Sequence, residues 1–389
     1  MSKLCVKLPP FSPDYSGVCS ALFDLNCVVV LHDASGCTGN YTGYDEPRWY
    51  GSRAAVFCSG LREIDAVLGD DEKMIQKTLR AAESLKPDLI ALVGSPVPMV
   101  IGTDLKGIAA DLEQRTGIPC FGFDTTGTKY YSDGIAQVCI ALAERFTKLQ
   151  TQKKPCGVNL LGLTPLDYDG RSAAALKKVL AGNGFELIAS FCDGLTLSDI
   201  QNAAQASVNL VVSQSGIAPA RYFEQKHGIP YLVGAPLGAL GQKSWLAAIQ
   251  SCIETGRSAY PEAPHSKADT LLLGDAVICK ALQTELAQAF GIFADCGCLF
   301  GTEAGYTPAG MLNLCDEQAI GAAINSGAYR TVIGDPMFRL LIKPGTQLTF
   351  IDSPVYCVSS KMAGCPPLDC VGGSLNRHLG GLIQAAAAI

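Results

Sequence analysis

The chain reads as an α/β protein of three doubly wound, Rossmann-like domains around a central cleft. Three observations predict this. Of its 389 residues, 48% are hydrophobic and only 17% charged, the profile of a protein with buried parallel strands. An apolar strand, a glycine turn and a helix recur in that order through the whole length. Two polar or proline-containing linkers, residues 148–154 and 258–265, divide this alternation into three blocks. The expected domains are residues 1–150, 151–262 and 263–389, each large enough for its own core.

In the first block the β-branched and apolar runs 27–31, 89–94 and 120–123 read as strands. Residues 71–84 and 104–115 between them read as helices. Lys86-Pro87-Asp88 and Gly117-Ile118-Pro119 punctuate the approach to the strands. In the second block residues 157–163 form a strand and turn, 172–183 a helix and 186–191 a strand. A Thr/Ser cap opens a helix over 196–205. Residues 208–213 then form a strand, 218–227 a helix and 231–233 a strand. The third block reads as a helix over 268–289, an extended segment over 293–300, a helix over 315–326, a strand over 331–334 and a terminal helix over 374–388. Folds of this kind gather ligands at the C-terminal ends of their strands.

Charge and composition exclude several classes. The net charge of −6 leaves no basic footprint for nucleic acid. No apolar run is long enough to span a bilayer, and the N-terminus lacks a basic-then-apolar leader, so a cytoplasmic protein with no membrane partner is expected. Neither G-x-G-x-x-G after a first strand nor a Walker lysine motif occurs. The 17 cysteines are many. Without an export signal they read as free thiols of a reducing cell rather than disulfides. C-x-x-C is absent, and the four histidines, His32, His227, His265 and His378, are scattered, which argues against a zinc site.

The segment Val30-Leu31-His32-Asp33-Ala34-Ser35-Gly36-Cys37 carries the most chemical information. A β-branched strand enters a tight glycine turn that ends in one cysteine. Backbone N–H groups of such a turn surround a sulfur, so Cys37 reads as an iron–sulfur ligand or as an ordinary buried thiol.

Read together in chain order, these motifs resemble the nitrogenase component 1 family, whose relatives include the dark-operative protochlorophyllide reductase and the nickel-sirohydrochlorin reductive cyclase. His32-Asp33-Ala34-Ser35-Gly36-Cys37 is similar to the family's H-G-x-x-G-C loop, with Asp33 in place of its first glycine. Residues 61–70 resemble L-x-E-x-D-x-V-F-G-G. Gly94-Ser95-Pro96 and Ile101-Gly102-Thr103-Asp104 resemble S-C-P-x-x-L-I-G-D-D. Residues 193–200, 208–211 and 228–231 keep the family's order and spacing.

The resemblance implies a redox subunit. It would take low-potential electrons from an ATP-dependent iron protein through an interface [4Fe-4S] cluster and act on a substrate or metallocofactor in an interdomain cavity. It also implies a dimer, either of this chain or with a sister component 1 subunit. The family's three cluster cysteines correspond here to a position near Ser12-Pro13-Asp14, to Cys37 and to Ser95, so only the middle one is a thiol. Cys19 lies about one helical turn beyond the first position, and Asp14 offers an oxygen in its place. A cluster bridging two copies through Cys19 and Cys37 of each is one expectation, and Cys58 is a further candidate ligand. Where the catalytic nitrogenase subunit holds its cofactor through H-C, this chain has Val212-Ser213, so a cofactor ligated in that way is not expected. Ser213, Cys296, Cys298 and His378 are the cavity candidates. Two other readings stay open: a tetrapyrrole reductase-cyclase, and a non-catalytic partner subunit or metallocofactor-assembly scaffold.

Overall fold

The computed structural model describes residues 5–48, 50–149, 152–260, 262, 266–301, 306, 310–360, 371–373 and 375–376. Its strands form three sheets. The first contains β1 (Cys27–Leu31), β2 (Ala55–Cys58), β3 (Leu89–Val93) and β4 (Cys120–Phe123), in the order β2-β1-β3-β4. The second contains β5 (Gly157–Leu161), β6 (Glu186–Ser190), β7 (Val208–Val211) and β8 (Tyr231–Val233), in the order β6-β5-β7-β8. The third contains β9 (Thr270–Gly274), β10 (Ala294–Cys298), β11 (Met311–Asn313), β12 (Thr331–Gly334) and β13 (Thr349–Asp352), in the order β11-β10-β9-β12-β13.

In the first sheet β1 pairs in parallel with both β2 and β3, and in the third β9 pairs in parallel with both β10 and β12. Each sheet therefore reverses its winding beside its first strand. That reversal opens a crevice at the strand C-termini, and in this fold class ligands settle there.

The chain divides into two compact units. One comprises Ser12–Lys148 with Ser190–Asn202, and the other comprises Met1–Phe11, Leu149–Ala189 and Ala203–Ile389. The first unit is built on the first sheet, and the second unit carries the other two. The detour of Ser190–Asn202 into the first unit has a local cause. Lys148 N–H donates to the Gln201 carbonyl at 3.1 Å, and the Thr147 hydroxyl donates to the Ile200 carbonyl at 3.0 Å.

The core of the first unit lies under β1 and β3, whose residues are all buried. Val28, Val30, Ile90 and Leu92 pack there against Met74, Ile75, Leu105 and Leu112. Each such side chain contributes about 1.5–3 kcal/mol by leaving water. On the same unit the helix Asp14–Leu22 crosses the helix Tyr131–Phe146. Glycines make the crossing close: a Cβ on Gly17 would overlap the Tyr131 carbonyl, and a Cβ on Gly134 would overlap that of Asp14.

The expected helix over 268–289 is corrected. Residues Thr270–Gly274 are the central strand of the third sheet, and the helix begins only at Ala276. Leu271, Leu272 and Leu273 are covered on both faces, so they show no alternation that would mark a strand. The strands β2, β11 and β13 are additions to the expected set, and all three are sheet edges. The expected terminal helix over 374–388 falls almost wholly outside the described residues.

Candidate functional site

The Cys37 loop leaves the end of β1, and Ser95 leaves the end of β3, so both stand at the winding reversal of the first sheet. Asp33 shapes the loop. Its Oδ2 accepts the backbone N–H of Ser35 at 2.9 Å and of Thr38 at 3.2 Å, and so caps the short helix Gly36–Asn40 that carries Cys37. Ser35 is held at φ 142°, a conformation costly for a residue with a side chain.

The Tyr15 hydroxyl, the Ser95 hydroxyl and the Asp33 carboxylate surround the half-buried Cys37 thiol and set its electrostatics. Burial raises its pKa, and the Asp33 charge raises it further, whereas Tyr15 and Ser95 pull it down. Ser95 Oγ also donates to the His32 carbonyl at 2.9 Å. Asn40 Nδ2 donates to Tyr15 Oη at 3.3 Å and to Asp45 Oδ2 at 2.6 Å. The buried Asp45 accepts in addition from Ser12 Oγ at 3.0 Å and Ser16 Oγ at 2.7 Å. Burial raises its carboxyl pKa against those three donors. A connected polar chain thus runs from Cys37 through Tyr15 and Asn40 to Asp45.

Asp14, Cys19 and Cys58 lie in other settings. Asp14 is fully buried, and its carboxylate is taken up by backbone N–H groups: Tyr15 at 2.9 Å, Thr126 at 2.9 Å and Gly127 at 2.8 Å. It ties the helix start to the loop after β4. Cys19 is fully buried beside Cys27, and burial pushes its thiol well up. Cys27 opens β1 whereas Cys37 lies beyond its far end, and a five-residue strand spans roughly 13 Å at about 3.3 Å per residue. The structure therefore does not bring Cys19 to Cys37. Cys58 ends β2 and is half-buried. Its thiol donates to the Asp33 carbonyl at 3.3 Å and receives the Gly60 N–H at 3.4 Å.

The sequence alone does not point to Tyr15, Asn40 or Asp45. A phenol one residue past Asp14 has no motif, and only the fold turns it toward a thiol. Among the described residues no group of three or more His, Cys, Asp or Glu side chains is arranged to hold a metal ion.

The cavity candidates gather at the strand ends of the second unit. Ser213 follows β7, is fully buried, and donates from Oγ to the Gly162 carbonyl at 2.7 Å beside Ser215 Oγ at 2.9 Å. The next residue, Gln214, donates its N–H to Asp275 Oδ2 at 2.9 Å and its Nε2 to the Phe300 carbonyl at 3.2 Å. Asp275 follows β9, and burial raises its carboxyl to about 6 although three backbone N–H groups oppose the rise. Cys296 and Cys298 point to one face of β10, and Cys279 approaches the same place across Gly274. Burial lifts all three thiols, Cys296 to about 12. The buried Tyr306 phenol feels Asp275 and these cysteines together. His378 lies outside the described residues.

Known proteins resemble this chain in sequence and fold. The family described as nitrogenase component 1 type oxidoreductase matches residues 15–271. The nitrogenase iron-molybdenum cofactor biosynthesis protein NifE of Rhodobacter capsulatus is 26% identical over 54% of this chain and 45% of its own length. A subunit of the light-independent protochlorophyllide reductase of Nostoc punctiforme is 27% identical over 48% of this chain and 39% of its own length. The chain thus spans less than half the length of these curated relatives. The structure of nitrogenase Cp1 at pH 5 superposes with a TM-score of 0.70 and 17% identity, covering 100% of this chain and 92% of that one, which establishes the shared fold.

Proposed function

The chain belongs to the nitrogenase component 1 type oxidoreductases, and on that premise we propose that it is a redox subunit receiving low-potential electrons from an ATP-dependent iron protein. The entry point is the Cys37 loop, where a [4Fe-4S] cluster is shared with a second component 1 subunit.

One observation carries this reading: the half-buried Cys37 thiol, ringed by hydroxyls, stands at the winding reversal of the first sheet. The helices that follow β2 and β3 at the same end leave large apolar side chains in solvent, among them Val67 at 76% and Val100 at 78% exposure. Such a surface fits a subunit interface.

The donor set supports one corner of a cluster. A cubane takes four donors, by preference thiolates, and this chain offers one thiolate with the oxygens of Tyr15, Ser95 and Asp33 around it. Oxygen ligands suit soft iron–sulfur centres poorly. The residues therefore fit a shared cluster with Cys37 as the local ligand, and leave the remaining thiolates to the partner. When bound, the cluster supplies one-electron transfer at low potential. This chain's own contribution is to orient Cys37 by the Asp33 cap and to donate hydrogen bonds from Tyr15 and Ser95 to its sulfur. Cys58 sits behind the loop on the Asp33 carbonyl. The substrate end of the chain is assigned to the cavity at the strand ends lined by Tyr168, Ser172, Asp275 and Cys279.

Ser213 favours a second reading, that of a non-catalytic partner or metallocofactor-assembly scaffold. Its hydroxyl is fixed between Gly162 and Ser215 rather than offered to a ligand. The NifE relative is itself named for cofactor biosynthesis. The protochlorophyllide reductase relative keeps a tetrapyrrole reductase-cyclase as a third.

Anaerobic reconstitution with iron and sulfide, alone and with a sister subunit, tests the proposal. The expected result is a reduced-state EPR signal in a dimer that disappears in Cys37→Ala. A monomer with no signal even in the sister's presence overturns the redox reading in favour of the scaffold. Retention of the signal in Cys37→Ala overturns the ligand assignment.

A further inference from the structure

A second pair of thiols stands apart from the Cys37 loop. Cys139 lies on the helix Tyr131–Phe146, and Cys192 on the turn after β6, within the Ser190–Asn202 segment. Their sulfurs are 3.9 Å apart and both residues are buried. Cys192 holds this place at a conformational cost. Its φ is +75°, the left-handed region that a side chain other than glycine rarely enters.

The surrounding turn is pinned on both sides. Arg48 Nη1 donates to the Cys192 carbonyl at 2.9 Å, and the Gly194 N–H donates to Asp24 Oδ2 at 2.8 Å. Arg48 and Asp24 themselves pair at 3.5 Å. The backbone strain and the clamp together aim one thiol at the other. Closing the gap to the ~2.05 Å of a disulfide needs a movement of about 2 Å, within reach of side-chain rotation.

We propose that Cys139 and Cys192 are a modification site: a dithiol that hydrogen peroxide converts to an intramolecular disulfide. In the first step the Cys192 sulfur attacks one peroxide oxygen, the O–O bond breaks, and a sulfenic acid and water form. In the second the Cys139 sulfur displaces that hydroxyl, forming the S–S bond and a second water. Overall two thiols and one peroxide give one disulfide and two waters. The thiols lose two electrons and the peroxide gains them. A dithiol reductant reverses the change by exchange once unfolding exposes the bond.

Size selects the oxidant class. Burial on both sides shuts out protein and glutathione disulfides and admits a molecule as small as hydrogen peroxide. The first step is slow, because the hydrogen bond to Cys139 and burial hold the Cys192 thiol protonated. The second is fast, because the resolving thiol is already in contact. Once formed, the bond closes a loop across a sequence separation of 53 residues. It fastens the Ser190–Asn202 segment to the helix Tyr131–Phe146 of the same unit. This inference does not depend on the cluster reading.

The test treats the full-length, anaerobically purified chain with hydrogen peroxide at pH 8.5. Unreacted thiols are then blocked under denaturing conditions and the peptides mapped by mass spectrometry. The expected product is a peptide pair linked through Cys139 and Cys192, lost on reduction and absent from Cys139→Ser and from Cys192→Ser. Hydrogen exchange of residues 190–202 is expected to slow in the oxidised wild type only, and this measurement does not depend on how well the variants fold. Recovery of both cysteines as separately blocked thiols, or of either as a sulfinic acid without the linked peptide, overturns the proposal. Linkage of Cys192 to any other cysteine does the same.

Discussion

Ser95 Oγ stands between the Cys37 thiol and the His32 carbonyl, and it has one proton to give. That proton goes to the His32 carbonyl at 2.9 Å. When Cys37 ionises or binds a metal, Ser95 must turn its proton toward the sulfur and leave the carbonyl. The Tyr15 hydroxyl has no such conflict, since it accepts from Asn40 and is free to donate to the sulfur. Tyr15 is therefore the standing donor of the site, and Ser95 the one that switches.

Cys37 reactivity follows from that arrangement. Tyr15→Phe removes a donor that lowers the thiol pKa, so the pH dependence of alkylation at Cys37 shifts to higher pH. Asp33→Asn removes a nearby negative charge that raises it, so the profile shifts to lower pH, with the cap of the Cys37 helix retained. Rates of iodoacetamide labelling, read on the Cys37 peptide across pH, measure both. Shifts in the same direction contradict the arrangement.

The glycine crossing that sets Tyr15 in place is sensitive to one methyl group. Gly17→Ala and Gly134→Ala each force a Cβ into backbone of the opposing helix. Each is expected to cost about 3 kcal/mol or more, at or beyond the upper end of overpacking effects. Urea unfolding gives the values. Gly182→Ala is the control, because a Cβ there meets nothing within 4 Å; it is expected to be neutral or slightly stabilising.

Asp275 makes stability depend on pH in a definite direction. Burial holds its carboxyl near 6 in the folded state, against about 3.9 in the unfolded chain. The folded state thus binds this proton more tightly. Its contribution is fully present below about pH 4 and is lost as pH rises through about 6, a loss of about 3 kcal/mol at most. Asp275→Asn removes that slope. Denaturant unfolding of both proteins at several pH values between 4.5 and 7.5 isolates it as the difference between their pH profiles. Parallel profiles contradict the assignment.

Much of this architecture is legible in the chain because its punctuation is local. Glycine and proline turns before β3 and β4 mark strand starts directly, and the Asp33-to-Cys37 turn announces its own geometry. What stays hidden depends on contacts remote in sequence. Thr270–Gly274 passes for helix because a strand buried on both faces loses its alternation. Ser190–Asn202 follows β6 in sequence but packs in the other unit, through hydrogen bonds to residues some fifty positions earlier. Tyr15 and Cys19 differ by one helical turn, yet the first reaches Cys37 and the second sinks beside Cys27. No spacing rule separates them; the direction in which the helix runs past β1 does.

That last difference yields a double dissociation. Cys19→Ala deletes a fully buried sulfur and is expected to cost about 1–2 kcal/mol of stability, as small core truncations do, while leaving iron per chain unchanged after reconstitution. Cys37→Ala removes a half-buried thiol from a loop and is expected to leave stability nearly intact while abolishing iron binding. Ser95→Cys adds a thiolate at the end of β3, where the first sheet reverses its winding, and is expected to raise iron content above wild type. Iron and sulfide analysis beside thermal unfolding of the three variants separates the two effects. Loss of iron in Cys19→Ala at unchanged stability would return that cysteine to the cluster and require the helix Asp14–Leu22 to turn its buried face outward.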